Sequence, residues 1–530
     1  MNTLAVHLYH DSTVAMNCEG VLRNIELERV FSKRYYDWTH EDNNLDNLLE
    51  LILKEGHRFD IGLYVGDEDD RPLELFQRLG IPHIHRVDHH LAHAAAALYQ
   101  SPFKKSLIIS FDGGGNDGTF KAFIGCRKQG IKALFSPITP NLGIPYRALA
   151  YPISEIHKPD DGKERSNAGK LMGLAAYGKV RPEWIEPLSE YFQKCSVNGA
   201  PPSHMYRWVV SQLQSIGAQL GLSLARNALL GAESFDFART GQHVFESLFL
   251  DLALPLARDY KLPICLSGGC ALNVLLNQRL SELVDLPIFI PPNPNDCGLA
   301  LGALLFEWAP SEPVSVTYTG VPILDLPALP EIVAKYGGVE AGSLEIAHLL
   351  SKGAVVAVMR GNSEHGPRAL GNRSILCDPG VVGMKERLNQ RVKFREDFRP
   401  YAPVVRVEEV GRYFENARND LSYMSFNPTV KPEWRNALQS ALHVDFTARV
   451  QTVSHVQNPW LYDLLVEFER LSGSGALLNT SFNCKGRPMV ARAATAIEEF
   501  LATDIDCLVI ENWLFKKPAR TAAGSSPRDE

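Results

Sequence analysis

Apolar residues along this chain follow two rhythms, and each marks its own kind of element. Leu4-Ala5-Val6-His7-Leu8 reads as a short strand, Tyr9-His10-Asp11-Ser12 as a turn and Thr13–Met16 as a returning strand. Leu48, Leu49, Leu51, Ile52 and Leu53 give 45–53 the spacing of an amphipathic helix, and Ile61–Val65 reads as the next strand. Ser106–Phe111, a turn led by Asp112, and Thr119–Ile124 then repeat the opening pattern. Two strand–turn–strand copies, each with an aspartate in the turn and helices to follow, predict an α/β fold of the duplicated actin-like kind, its cleft between the halves.

Helical spacing returns in 166–178, in 201–231 around Trp208, Leu213, Ile216, Leu220 and Leu224, and in Gly241–Tyr260. Ile264–Ser267 reads as a strand ending in Gly268-Gly269, with a helix beginning there. Trp308–Val321, rich in Pro, Ser and Thr, is the expected domain boundary. The expected division is therefore a first domain at 1–312, a linker at 313–320, a second α/β domain at 321–520 and a disordered tail at 521–530. Within the second domain, Leu344–Leu350 reads as a helix, Ala354–Val358 as a buried strand and 476–483 as a strand that turns polar. On that last strand Asn479, Ser481 and Asn483 alternate onto one face.

Composition changes the picture little. At 530 residues and 45% hydrophobic, the chain is long enough for two or three domains with a sizeable core. A net charge of −7 argues against nucleic acid or an anionic membrane as partner, so any anion site must be local. Nine scattered cysteines without a CxxC pair indicate reduced thiols and a cytoplasmic setting. No signal peptide or transmembrane helix is expected, and the oligomeric state is left as monomer or homodimer.

Candidate chemistry begins at Asp88-His89-His90-Leu91-Ala92-His93. His89 and His93 are four apart in an Ala-rich stretch, so a helix stacks both imidazoles on one face, as a metal clamp requires. Alone, the spacing reads equally as two exposed histidines. Asp112, at a strand end opening Gly113-Gly114-Gly115, and Asp296, on the loop before a small-residue helix, supply carboxylates. Two His and two Asp suit Fe(II), Mn(II) or Mg(II) better than structural zinc. The backbone of Gly113, Gly114 and Gly115 would approach phosphates closely. The helix start after Gly268-Gly269 and Asn273 would hold an anion or a ribose. Lys170 lacks P-loop spacing, and its helix reads as close packing or as nucleotide contact.

Between Arg360 and Arg399 stand nine Lys/Arg against five Asp/Glu, a local positive excess in an acidic chain. It contains Arg368, Arg373, Lys393, Arg395 and Arg399, and it reads as an anion pocket or as a solvated basic face. Tyr35, Tyr36 and Trp38 would stack on a sugar or pack in a core.

In order along the chain come DHHLAHA, FDGGG, GGCALN, NDCGLALGA, EHGPRALGNRSIL, FREDFRPYAP and LNTSFNCKGRP. That series resembles the carbamoyltransferases of the nodulation-factor, cephalosporin and tobramycin type. The resemblance implies an N-terminal domain similar to the universal threonylcarbamoyl-adenosine synthase, actin-like in fold, and a C-terminal domain similar to the YrdC carbamoyl-adenylate-forming domain. It implies an iron-type metal on His89, His93, Asp112 and Asp296, and a catalytic pair at His10 and Asp11. It further implies a pocket for carbamoyl phosphate and ATP with its Mg(II), formed by His365, Arg368, Arg373, Lys393, Arg395, Arg399, Asn479, Ser481 and Asn483. The expected activity is ATP-dependent transfer of a carbamoyl group to a hydroxyl of a small natural-product intermediate. The alternatives are an amine or amidine acceptor, threonylcarbamoyl transfer to tRNA, or a non-catalytic actin-like nucleotide-binding protein. The segments 23–41 and 196–231 match no motif and are expected to shape the acceptor pocket.

Overall fold

The computed structural model describes the chain except for residues 42–44, 55, 67–69, 115–117, 137, 139, 158–165, 197–204, 418, 485 and 518–530. Gly115 and the expected tail lie outside the described residues.

Two five-stranded sheets carry the first domain. One holds β1 (Thr3–His7), β2 (Thr13–Cys18), β3 (Val21–Glu26), β4 (Ile61–Val65) and β5 (His83–Val87) in the order β3-β2-β1-β4-β5. The other holds β6 (Lys105–Phe111), β7 (Phe120–Cys126), β8 (Gly130–Ala133), β9 (Ile264–Ser267) and β10 (Ile288–Phe289) in the order β10-β9-β6-β7-β8. Laid side by side they are one path. In each, the first strand has two antiparallel strands stepping out on one side and two parallel strands on the other. The duplication is therefore deeper than the strand–turn–strand repeat, and the fold is the duplicated actin-like α/β architecture.

Each half ends in a helix that packs against its counterpart, His89–Gln100 after β5 and Leu299–Trp308 after β10. Ala92, Ala94, Ala95 and Ala97 share one core with Leu301, Ala303, Leu304 and Leu305. Close approach is enforced at Gly302, where an added Cβ would lie 2.1 Å from the Ala92 carbonyl oxygen. Small residues at this crossing thus fix how near the two helix starts lie to each other.

Two helix boundaries differ from expectation. The long helix spans Ala232–Tyr260, because Gly241 does not start it but sits inside, where Leu149 occupies the space of a Cβ at 2.4 Å. After β9 comes a 3-10 turn, Gly269–Leu272, and the helix begins only at Val274 with Asn273 as its cap. The side chain of Asn273 accepts from the Leu276 N–H at 3.0 Å.

The second domain is an eight-stranded sheet in the order β11-β18-β17-β12-β13-β16-β14-β15. Its strands are β11 (Val339–Glu340), β12 (Val356–Met359), β13 (Arg373–Cys377), β14 (Ala402–Arg406), β15 (Gln451–Val453), β16 (Ala476–Ser481), β17 (Cys507–Ile510) and β18 (Trp513–Lys516). Leu350, Leu461, Leu465 and Phe468 pack on one face and Leu388, Ala493, Ile497 and Phe500 on the other. The two domains share a core, since Tyr413, Phe414, Leu421 and Phe426 cluster with Phe237, Phe245 and Leu276. Residues 309–321 have no regular structure, yet they are pinned on both sides: Val314 donates to the Tyr99 carbonyl at 2.9 Å and Gly320 to the Ser363 carbonyl at 3.1 Å. Among the described residues no helix is long and apolar enough to cross a membrane.

Candidate functional site

Each half of the first domain sends one hairpin turn and one helix start to the same place. The turn after β1 carries His10 and Asp11, and the turn after β6 carries Asp112. The helix after β5 begins with His89 and carries His93 one turn on, while Asp296 opens the 3-10 turn that leads into the helix after β10. Asp88 caps the histidine helix by accepting from the Leu91 N–H at 2.8 Å, which fixes where its first turn points.

Ligand atoms of His89, His93, Asp112 and Asp296 all lie within 4.8 Å of one another. His93 is fully buried and His89 nearly so, which removes the reading of exposed histidines. His93 Nε2 is 3.1 Å from His89 Nε2, 3.0 Å from Asp112 Oδ2 and 3.5 Å from Asp296 Oδ1. Donors at about 2.1 Å from one ion and at right angles lie about 3.0 Å apart. The four residues therefore fit a divalent cation, through nitrogen and oxygen alone. Orientation comes from behind: Ser267 Oγ is 3.5 Å from His93 Nδ1, and the Gly269 N–H donates to Asp112 Oδ2 at 3.0 Å. Burial lowers the His93 pKa, but hydrogen bonds to Asp112 and Asp296 override it and raise the group to about 9. This buried centre holds positive charge strongly.

His10 stands at the rim, with Nε2 3.3 Å from Asp296 Oδ2 and Nδ1 3.2 Å from Asp11 Oδ2. An imidazolium there donates to both carboxylates. Asp11 takes φ +58, a left-handed conformation that a short polar side chain tolerates.

The second cluster is cationic. Arg368, Arg395 and Arg399 all lie close enough to Arg449 to lower its pKa, and Arg395 lowers that of Arg399. Burial depresses Arg368 and Arg399 to about 10 and Arg449 well below its usual range. Arg449 Nε is buried without a hydrogen-bond partner. Arg395 stacks over Tyr401 at 4.1 Å, and Arg399 faces Glu396 at 3.5 Å. Lys393 ends a π turn, Asn389–Lys393, and its ammonium donates to Ser481 O at 2.7 Å and Asn483 Oδ1 at 2.6 Å. Burial, with Arg395 next, pushes Lys393 far down. These half-buried cations crowd one another, an arrangement that a bound anion would relieve.

The remaining expected residues are distributed as follows. Gly113, Gly268 and Gly269 surround Asp112, while Gly114 continues its turn. Lys170 is buried, paired with Glu396 at 2.9 Å and so linked to Arg399. Arg373 donates to the carbonyls of Val490, Arg360, Asn372, Val321 and Gly361, a clamp on main chain. Asn479 is buried between Ala369 O and Gln451 Oε1. His365 lies against the Asp296 loop, and burial, then Arg29, lower it to about 3. Tyr36 and Trp38 are core residues. Tyr35 is half-buried at φ +56, influenced by Arg34, Asp11, Glu28 and Arg399, and so stands between the two clusters. The sequence reading missed Arg449 and Arg34. Arg449 is a lone arginine among alternating apolar residues, fifty positions past the basic run, and only the fold brings it in.

Residues 21–305 match the carbamoyltransferase N-terminus family and residues 347–517 the carbamoyltransferase C-terminus family. Nodulation protein NolNO of Sinorhizobium fredii is 34% identical over 84% of this chain, which spans 65% of that protein. Nodulation protein U of the same organism is 31% identical over 98% of this chain and 100% of its own length. Protein MJ1058 of Methanocaldococcus jannaschii is 29% identical over 81% of this chain and 73% of its own. HypF from T. kodakarensis covers 58% of this chain and 47% of its own at 16% identity and a TM-score of 0.36, too weak a likeness to bear on the fold.

Proposed function

Starting from the fact that this chain belongs to the carbamoyltransferase family, we propose that it is an ATP-dependent O-carbamoyltransferase acting on a small-molecule hydroxyl. One observation carries the reading: Tyr35 feels the charge both of Asp11, beside the two-histidine, two-aspartate centre, and of Arg399 in the half-buried arginine cluster.

In the anion pocket, carbamoyl phosphate and ATP bring the negative charge that Arg368, Arg395, Arg399 and Arg449 lack. Water cleaves carbamoyl phosphate to carbamate and phosphate. Carbamate oxygen then attacks the α-phosphorus of ATP, the bond to the β-phosphate oxygen breaks, and carbamoyl-adenylate and pyrophosphate form. Each step gathers charge on phosphoryl oxygens, which the preoriented guanidiniums stabilise. Ser481 and Asn483 hold Lys393 in place at the pocket wall.

At the metal centre, His89, His93, Asp112 and Asp296 would hold Fe(II) or a similar divalent ion, which when bound supplies a Lewis acid for the carbamoyl oxygen. His10 takes the acceptor's hydroxyl proton, and its imidazolium is steadied by Asp11 and Asp296. The alkoxide oxygen bonds to the carbamoyl carbon, AMP leaves, and the carbamate ester is released. Transfer inside the protein keeps the mixed anhydride from water.

The test needs no acceptor. Purified protein with carbamoyl phosphate, ATP and Mg(II) is expected to release pyrophosphate, and Arg449→Ala to lose at least a hundredfold in that rate. No pyrophosphate with any divalent ion would sink the reading.

A further inference from the structure

Glu26, Cys297 and His365 offer three ligand atoms within 4.8 Å of one another, deep between the domains. They do not form a second metal site, because their polar atoms are already engaged. Glu26 Oε1 accepts from the Gly366 N–H at 2.6 Å while Oε2 pairs with Arg29. Cys297 Sγ donates to Asn295 Oδ1 at 3.1 Å. Both ring nitrogens of His365 are also used, and their partners settle its tautomer. Nε2–H donates to the Cys297 carbonyl at 3.0 Å, so Nδ1 is left to accept from Asn293 Nδ2 at 3.3 Å.

Those two partners flank Asp296. The imidazole of a residue from the second domain thus spans the two ends of a first-domain loop, 293–297, whose cargo is a ligand of the metal centre. Asn293 is tied in turn to the histidine helix, since Gln100 Nε2 donates to Asn293 Oδ1 at 3.1 Å and to the Ala96 carbonyl at 2.8 Å. The seat of His365 is equally well defined. Its own N–H donates to the Thr317 carbonyl at 2.7 Å, and Arg29 donates to Ser363 Oγ at 2.9 Å and to the Gly366 carbonyl at 2.6 Å. Gly366 has φ +114 and lies so close to the Pro292 carbonyl that a Cβ would stand 2.1 Å from it. The far side of the same loop is shaped by Glu364, whose Oε1 accepts from the N–H groups of Leu370, Asn372 and Arg373. Arg368 sits on that turn.

We propose that His365 is a positioning residue for the metal centre, holding Asp296 in register from the other domain. The loop that presents Arg368 to the anion pocket is then also the loop that shapes the transfer site. This assignment of the transfer site rests on the function proposed above. Its mechanism is geometric: without the brace, Asp296 loses its fixed place toward both His93 and His10.

Mn(II) binding to the full chain, followed by calorimetry, tests this alongside pyrophosphate release. His365→Ala and Asn293→Ala break the same bond from opposite sides. Each is expected to weaken Mn(II) binding about tenfold, the low end of what losing a group bonded directly to a metal ligand costs, while pyrophosphate release changes less than threefold. His365→Gln keeps an N–H for the Cys297 carbonyl and is expected to fall between His365→Ala and wild type; with Asn293→Ala it carries the test should His365→Ala not fold. Wild-type Mn(II) affinity in both His365→Ala and Asn293→Ala, or pyrophosphate release falling as far as metal affinity, overturns the proposal. If wild type releases no pyrophosphate, the functional reading fails, but the Mn(II) comparison still decides whether His365 braces the loop.

Discussion

Around Asp112 stand two carboxylates and two imidazoles; around Arg399 stand half-buried guanidiniums and a buried ammonium, with Glu396 set among them. The first set satisfies itself when it holds a proton or a cation, since, against the pull of burial, hydrogen bonds to Asp112 and Asp296 push His93 up to about 9. In the second set Glu396 is shared between Lys170 and Arg399, and Arg449 keeps an unbonded nitrogen inside the protein. An isolated buried cation costs several kcal/mol unless something neutralises it. The difference teaches that one centre balances its own charge before a ligand arrives, whereas the other is left with positive charge for a ligand to neutralise.

That contrast breaks most visibly at the metal centre. His93→Ala is expected to lower overall carbamoyl transfer at least a thousandfold, measured with a competent acceptor, but pyrophosphate release less than threefold. Equal losses in both assays would mean that the two centres are not separate. Next, Arg368→Ala is expected to lower pyrophosphate release by a hundredfold or more, in line with the roughly 3–4 kcal/mol that one oriented donor supplies to a developing charge. Mn(II) binding should stay within threefold.

Stability sharpens the comparison further. Gly302→Ala pushes a methyl group onto the Ala92 carbonyl, and overpacking of this kind costs about 1–3 kcal/mol, readable as a lower urea midpoint. Arg449→Leu should act in the opposite direction, raising the unligated protein's stability by about 1 kcal/mol while abolishing pyrophosphate release. A loss of stability there would mean that the pocket is not strained by its own charge.

A last expected effect is on acid stability. His90 and His365 are buried and neutral, with pKa values lowered by burial to about 4 and about 3. Unfolded histidine titrates near 6.5, so below that pH the unfolded chain binds more protons and stability falls as pH falls toward these values. Urea midpoints at pH 7 and pH 5 should differ less in His365→Gln than in wild type.

Much of the architecture was legible because local pattern and tertiary role agreed. Leu45–Leu53 and Ile61–Val65 stand where their apolar spacing put them, and the aspartate-led turns announced the duplication. That His89, His93, Asp112 and Asp296 come together was legible because each lies at a strand end or in the first turns of a helix, where side chains are exported from a scaffold. Gly241 misled, since a glycine used for close packing on Leu149 looks the same in sequence as one that begins a helix. His365 was grouped with the cations beside it along the chain, though its ring turns to another domain. Arg449 and Arg34 were invisible for the complementary reason, that distant parts of the chain meet only after folding.

The internal duplication has a last consequence, for symmetry. Two identical half-molecules meeting on an axis would have to place the same residues at both helix starts and both turns. Joined in one chain, the halves are free to differ at that axis, and they do: one brings imidazoles to its helix start and His10-Asp11 to its turn, the other carboxylates at Asp296 and Asp112. The pseudo-twofold survives in the strand order, while at the candidate centre the two halves contribute different chemistry, imidazoles from one and carboxylates from the other.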